Sequence, residues 1–248
     1  IYADGCHVEQ PATESPPCVY GAAGSATTVV LFGDSHAAQW FPAMQRIAVE
    51  RGWRLLSLTK ALCAAVDHPV WNGRLKREYT ECTTWREAVL RRIATERPAL
   101  VVVANSKFGT LAVDGAAEAA PQGAAWDGAL ARMLDRLAGM AGAVALVGDT
   151  PQHGQDPPVC LSAHPDDVRA CATARAEAVP VPRLAADARV AAAAGVTFVD
   201  PTPWTCPSDP CPVVVGNILA FHDAGHLTRT FSAALGPYLF AALPRLGE

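Results

Sequence analysis

Alternation of apolar runs with amphipathic stretches constrains this chain more than any other feature. "TTVVLF" (27–32) is a continuous β-branched run ending in Gly, the pattern of a buried strand. "AAQWFPAMQRIAVERG" (37–52) reads as a helix closed by Gly52. "WRLLSL" (53–58) is a second strand, "TTWREAVLRRIATERP" (83–98) a helix stopped by Pro98, and "ALVVVAN" (99–105) a third strand. Helix 126–142 and strand 143–149 follow, then helix 181–195, strand 196–200 and a closing helix over 226–243. Strands joined by helices in this order predict a parallel sheet covered on both faces, with ligands beyond the carboxyl ends of the strands. Residues 1–25, with Pro11, Pro16, Pro17 and Gly21, read as an irregular arm, and 26–248 as the domain proper. The Ala/Gly-rich stretch 111–125 reads as a loop or insertion.

The 248 residues, half of them apolar, suffice for a sizeable core. Net charge is −4 with no basic block, which argues against a nucleic-acid partner. The apolar runs are short and interrupted, so none reads as a membrane span. The chain opens at Ile1 without a leader-like stretch and is read as a mature or excised piece of a longer protein. Its eight cysteines fall into four sequential couples in loop-like sequence. Eight cysteines allow 105 connectivities, and the sequential couples give Cys6–Cys18, Cys63–Cys82, Cys160–Cys171 and Cys206–Cys211 as the expected disulfides. Zinc would prefer tighter doublets, which only Cys206 and Cys211 approach. Disulfides in an oxidising compartment are the better reading than eight buried cytosolic thiols.

Two stretches carry the chemistry. The first strand stops at "GDSH", placing Ser35 just past a strand end, where Gly33 permits a tight turn. Alone, Ser35 is as well explained as a helix N-cap. The nucleophile elbow G-x-S-x-G is absent, since Ala37 stands where its second Gly would be. The tail "FHDAGHLT" supplies the rest: Asp223 and His226 are three apart, so a short turn can set the carboxylate against one imidazole nitrogen while the other faces Ser35. The competing readings are a capping or core His226, or a metal held by His222 and His226 without an obvious third ligand. Asp223 is expected to raise the His226 pKa above its ordinary value of about 6.5. Trp40, Trp71, Trp85 and Trp126 could stack on sugar rings, although core burial is the commoner fate of Trp.

"LFGDSHAAQWFPAM" with "FHDAGHLT" resembles an SGNH (GDSL-type) hydrolase, and more closely the SGNH domains fused behind membrane acyltransferases of the acyltransferase-three family. "LTKALCAA" and "DPTPWTCPSDPCPVVVGNILAFHDAGHLT" resemble the corresponding segments of that subgroup. The likeness is specific at both ends and rests on alternation alone in the middle. It implies a three-layer α/β/α flavodoxin-like fold with a mainly parallel five-stranded sheet. It implies Ser35 as nucleophile, His226 as general base and acid, and Asp223 as its orienter. The implied oxyanion hole comprises the Ser35 N–H, a backbone N–H near Lys60 in place of the family's Gly, and Asn105; apart from the resemblance, Asn105 reads as a turn residue. His36, typical of the fused subgroup, lines the pocket or packs locally. No metal or cofactor is expected.

The implied function is serine O-acetylation of a cell-surface glycan or glycolipid, outside the cytoplasm. The acyl donor would arrive through a membrane-embedded partner domain that tethers the full-length protein. The alternatives are a carbohydrate acetyl esterase, with water as acceptor, and a non-catalytic glycan-binding domain.

Overall fold

The structure is a computed structural model that describes residues 1–118 and 122–246. Seven strands form the main sheet: β1 His7–Val8, β2 Val19–Gly21, β3 Thr28–Gly33, β4 Arg54–Lys60, β5 Leu100–Ala104, β6 Val144–Val147 and β7 Thr197–Val199. Along the path β1–β4–β3–β5–β6–β7 every pairing is parallel. The expected five strands are β3 to β7; the sheet is larger because the arm adds two. β1 runs parallel to Thr59–Lys60 and β2 antiparallel to Arg54–Leu56, so both cover the outer edge of β4. An uncovered edge would expose a row of unpaired backbone groups.

Period-two alternation divides the core. Val30 and Phe32 of β3 face Trp85, Val89 and Ile93 of helix α3 (Thr80–Glu96) and Leu130 and Met133 of helix α4 (Ala124–Ala138). Val29 and Leu31 face the other way, onto Met44 and Ile47 of Phe41–Arg51 and onto Phe231 and Leu239 near the C-terminus. The result is three layers, with Val181–Ala193 packed beside α4 and β7. Trp40, Trp85 and Trp126 are core residues, whereas Trp71 stays half-buried at the surface.

Two expected helices differ. The one expected over 37–52 is a single turn, α1 (Ser35–Ala38), followed by α2 (Phe41–Arg51), with Pro42 at the start of α2 and Gly52 in left-handed conformation as its C-cap. The closing helix begins only at Arg229, capped by Thr228, and breaks at Leu235 into Arg229–Ala234 and Gly236–Ala242. Pro237 has no N–H with which to continue the ladder. In the stretch 111–125, Ala112–Val113 and Ala116–Ala117 pair as a hairpin, while 119–121 lie outside the described residues. The described residues contain the four disulfides Cys6–Cys18, Cys63–Cys82, Cys160–Cys171 and Cys206–Cys211. None of the described helices is long and apolar enough to cross a membrane.

Candidate active site

β4 lies on one side of β3 and β5 on the other, so the chain reverses direction across the sheet at the carboxyl end of β3, where crevices form in such folds. Gly33 sits there with φ +147, and a Cβ on it would collide with the Ala104 carbonyl oxygen. Only glycine meets both demands. The turn is then fixed by Asp34. Its Oδ1 accepts the His36 N–H at 2.8 Å, capping α1, and its Oδ2 accepts the Ser106 N–H at 2.9 Å from the loop after β5. The N-cap is therefore Asp34 and not Ser35, which leaves the Ser35 hydroxyl available. Burial pushes the Asp34 carboxyl above the ordinary carboxylate range.

The Ser35 hydroxyl meets His226 Nε2 at 2.9 Å, and His226 Nδ1 lies 2.8 Å from Asp223 Oδ2. Nδ1–H donating to the carboxylate leaves Nε2 as the acceptor for the Ser35 O–H. Asp223 Oδ1 also accepts the N–H groups of Gly225 at 2.9 Å and His226 at 2.7 Å, an Asx turn that fixes the carboxylate against its own histidine. Partial burial pushes the Asp223 carboxyl up, but these two N–H donors and the imidazole outweigh it and hold the group below its ordinary value. Gln39 holds the loop from below: its Oε1 accepts the Leu227 N–H at 2.8 Å. Thr150 donates its hydroxyl to the Gly225 carbonyl at 2.9 Å.

The His226 pKa is lowered, not raised as expected from Asp223. Burial disfavours the imidazolium most, and the positive charge of His36 adds to it; together they outweigh the Asp223 carboxylate. His36 is buried, with its ring centroid 4.5 Å from that of His226. Its Nδ1 makes a short hydrogen bond to Asp149 Oδ1. Burial disfavours the His36 cation too, but Asp149 and Asp34 overcome it and push the pKa up to about 9. Asp149 also accepts the N–H groups of Thr150 at 2.8 Å and Lys107 at 2.7 Å. Sequence reasoning missed Asp149. The available signal was a carboxylate two residues past the end of β6, at the same edge of the sheet as Asp34.

Asn105 follows β5 as expected. Its Oδ1 accepts the Ala65 N–H at 2.7 Å and its Nδ2 reaches the Ala65 carbonyl at 3.4 Å, which fixes the amide plane. Lys60 ends β4 fully buried, and its ammonium donates to the carbonyls of Glu9, Gln10 and Ala12 at 2.7, 2.8 and 2.7 Å. Its side chain is committed to holding the arm. α1 is one turn long, so Ser35 offers its own N–H but little macrodipole. His222, Asp223 and His226 each place a ligand atom within 4.8 Å of the others, so Asp223 could supply the third ligand position that spacing did not suggest. A metal there would compete with the bonds that orient His226.

A family model described as "SGNH domain (fused to AT3 domains)" matches residues 5–240. The chain belongs to this family. No match was found among the curated proteins. Among solved structures, the SGNH chain is similar to the periplasmic domain of a lipopolysaccharide acetyltransferase from Salmonella ser. Paratyphi A: TM-score 0.67, 15% identity, 96% of this chain and 87% of that one. It is also similar to a Myceliophthora fergusii carbohydrate esterase family 2 enzyme carrying a carbohydrate-binding domain: TM-score 0.50, 14% identity, 88% of this chain and 65% of that one. At such identities the likeness is one of fold.

Proposed function

We propose that this SGNH domain is a serine O-acyltransferase that moves an acetyl or similarly short acyl group onto a hydroxyl of a cell-surface glycan or glycolipid. The observation that carries the reading is the unbroken hydrogen-bonded chain Ser35–His226–Asp223 at the carboxyl edge of the sheet. His226 Nε2 takes the Ser35 proton as Oγ attacks the acyl carbonyl carbon. The Ser35 N–H, a backbone N–H near Lys60 and Asn105 are the donors assigned to the resulting oxyanion, each such donor contributing roughly 3–4 kcal/mol. The donor's leaving group departs with the proton from His226, and acyl-Ser35 remains. An acceptor hydroxyl then gives its proton to His226 and attacks; the ester bond to Ser35 breaks and Oγ recovers the proton. Asp223 holds the productive tautomer and stabilises the imidazolium throughout.

Four disulfides favour an oxidising, extracytoplasmic compartment. The family's fusion to AT3 domains supports a membrane acyltransferase domain as the source of the acyl group and as the tether. An esterase would share every step except the last acceptor, with water replacing the sugar. The deciding experiment is mass spectrometry after incubation with 4-nitrophenyl acetate, with and without oligosaccharides. An acetyl adduct on the Ser35 peptide, discharged to sugar, is the expected result; discharge only to water makes the domain an esterase. Ser35→Ala should lose the adduct and on the order of 10⁶ in kcat, by serine-protease precedent. A variant retaining wild-type turnover would reduce Ser35 to a structural residue.

A further inference from the structure

Two cavities flank the candidate site, and His226 itself lines the larger of them. One, of about 180 Å³, touches Asp34 and Ser106 and is walled by Leu62, Val70, Trp71 and Phe108. The other, of about 450 Å³, touches His226 and Leu227 and is walled by Tyr2, Asp4, Tyr20, Phe41, Gln45 and Arg229. We infer that an uncharged sugar of the acceptor glycan seats in the larger cleft, against Tyr2 and Asp4 of the N-terminal arm. The inference rests on the acyl-transfer reading above and adds which residues recognise the acceptor.

The general base sets the side of approach. An acceptor hydroxyl must deliver its proton to His226 Nε2, so it has to arrive from the cavity that the imidazole lines. The smaller, more apolar cavity lies beside Asp34 and Ser106, next to the assigned oxyanion donors, and is left to the acyl group. The larger cleft falls within the ~300–1,000 Å³ typical of ligand pockets, and it mixes aromatic rings with a few placed polar groups. Tyr2, 62% exposed, offers a ring to the C–H face of a sugar. Asp4 is oriented by the Tyr20 hydroxyl, which donates to its Oδ2 at 2.9 Å, and Tyr20 is in turn held edge-on against Phe41. Apart from histidines, the side chains lining the cleft carry one carboxylate, Asp4, and one guanidinium, Arg229. That balance suits a neutral polyol and not a polyanion.

The arm wall is also pre-formed. Cys6–Cys18 closes it, Lys60 binds three of its carbonyls, and His7 Nδ1 lies 3.1 Å from Thr59 Oγ1. A wall already ordered spends little of the binding energy on ordering itself.

The test compares kcat/KM for acetylated xylotriose and acetylated chitotriose with that for 4-nitrophenyl acetate, in wild type, Tyr2→Ala and Asp4→Asn. The ratio of saccharide ester to 4-nitrophenyl acetate should fall about tenfold in Tyr2→Ala, through KM, and in the same direction but less in Asp4→Asn. Because the readout is a ratio within one protein, partial unfolding does not imitate it. An unchanged ratio in Tyr2→Ala overturns the inference. So does a wild type that turns over 4-nitrophenyl acetate but neither saccharide ester. A wild type that turns over no ester and forms no acyl-Ser35 overturns the acyl-transfer reading itself, and the cleft assignment with it.

Discussion

Two histidine–carboxylate pairs stand ring against ring in this protein, and they titrate in opposite directions. His226 has Asp223, at the rim of the sheet, and its pKa is lowered. His36 has Asp149, in the interior, and its pKa is raised to about 9. Burial acts in the same sense on both. What differs is the company. His36 sits between two buried carboxylates, Asp149 and Asp34, so its charge is compensated. His226 has one carboxylate and faces the His36 cation. A general base must be neutral to accept a proton. The inner pair therefore adds to burial in favouring the neutral form that the proposed base needs, and a carboxylate beside a histidine does not by itself predict a charged imidazole.

Asp223→Asn tests the outer pair and should have the largest effect of the changes to the two histidine–carboxylate pairs. The amide favours the wrong tautomer, costing on the order of 10⁴ in kcat by the serine-protease precedent. Loss of the carboxylate should also lower the acid-limb pKa of kcat/KM further. A loss under tenfold would show that Asp223 does not set the tautomer.

His36→Gln tests the inner pair. Removing the cation should move the acid limb upward, so the variant loses kcat/KM at a higher pH than wild type. Stability gives a second readout. The His36 pKa is raised on folding, so its contribution is fully present below about pH 6.5 and is lost as pH rises through about 9. Wild-type Tm should therefore fall more steeply across that window than the Tm of the variant. An acid limb that stays in place in His36→Gln breaks the link between the pairs.

The smallest effect is expected from His222→Ala. Its ring stacks on His226 with centroids 5.6 Å apart, but it is exposed, and solvent screens its influence. The acid limb should rise by less than in His36→Gln. A larger rise would mean that the outer surface, and not the inner pair, controls the base.

Much of this was legible in the sequence, for local reasons. The β3 run, Gly33, Ser35 and the Asp223–His226 spacing are short-range patterns, and each survives in the structure as geometry. β1 and β2 were not legible, because they are two and three residues long and lie in a Pro-rich arm without an apolar run or a flanking helix pattern. Nor was the His36–Asp149 pair: its members are 113 positions apart, and nothing in "GD" at the end of a strand names a partner. The lowered pKa of His226 follows first from its burial and then from the His36 cation, neither of which the spacing shows. Spacing revealed the carboxylate three residues away but not the cation packed against the ring.

The close approach of Gly33 to the Ala104 carbonyl has a consequence for how such a domain can change over time. The path of the chain into Ser35 is set there by main chain against main chain, inside a ladder in which Gly33 and Ala104 are register partners. Which aliphatic residues fill the two faces of the sheet matters little to that contact. The core can drift in composition, strand by strand, while Ser35 keeps its address. Gly33 itself has no such latitude: any side chain there would push β3 off its neighbour and carry Ser35 with it.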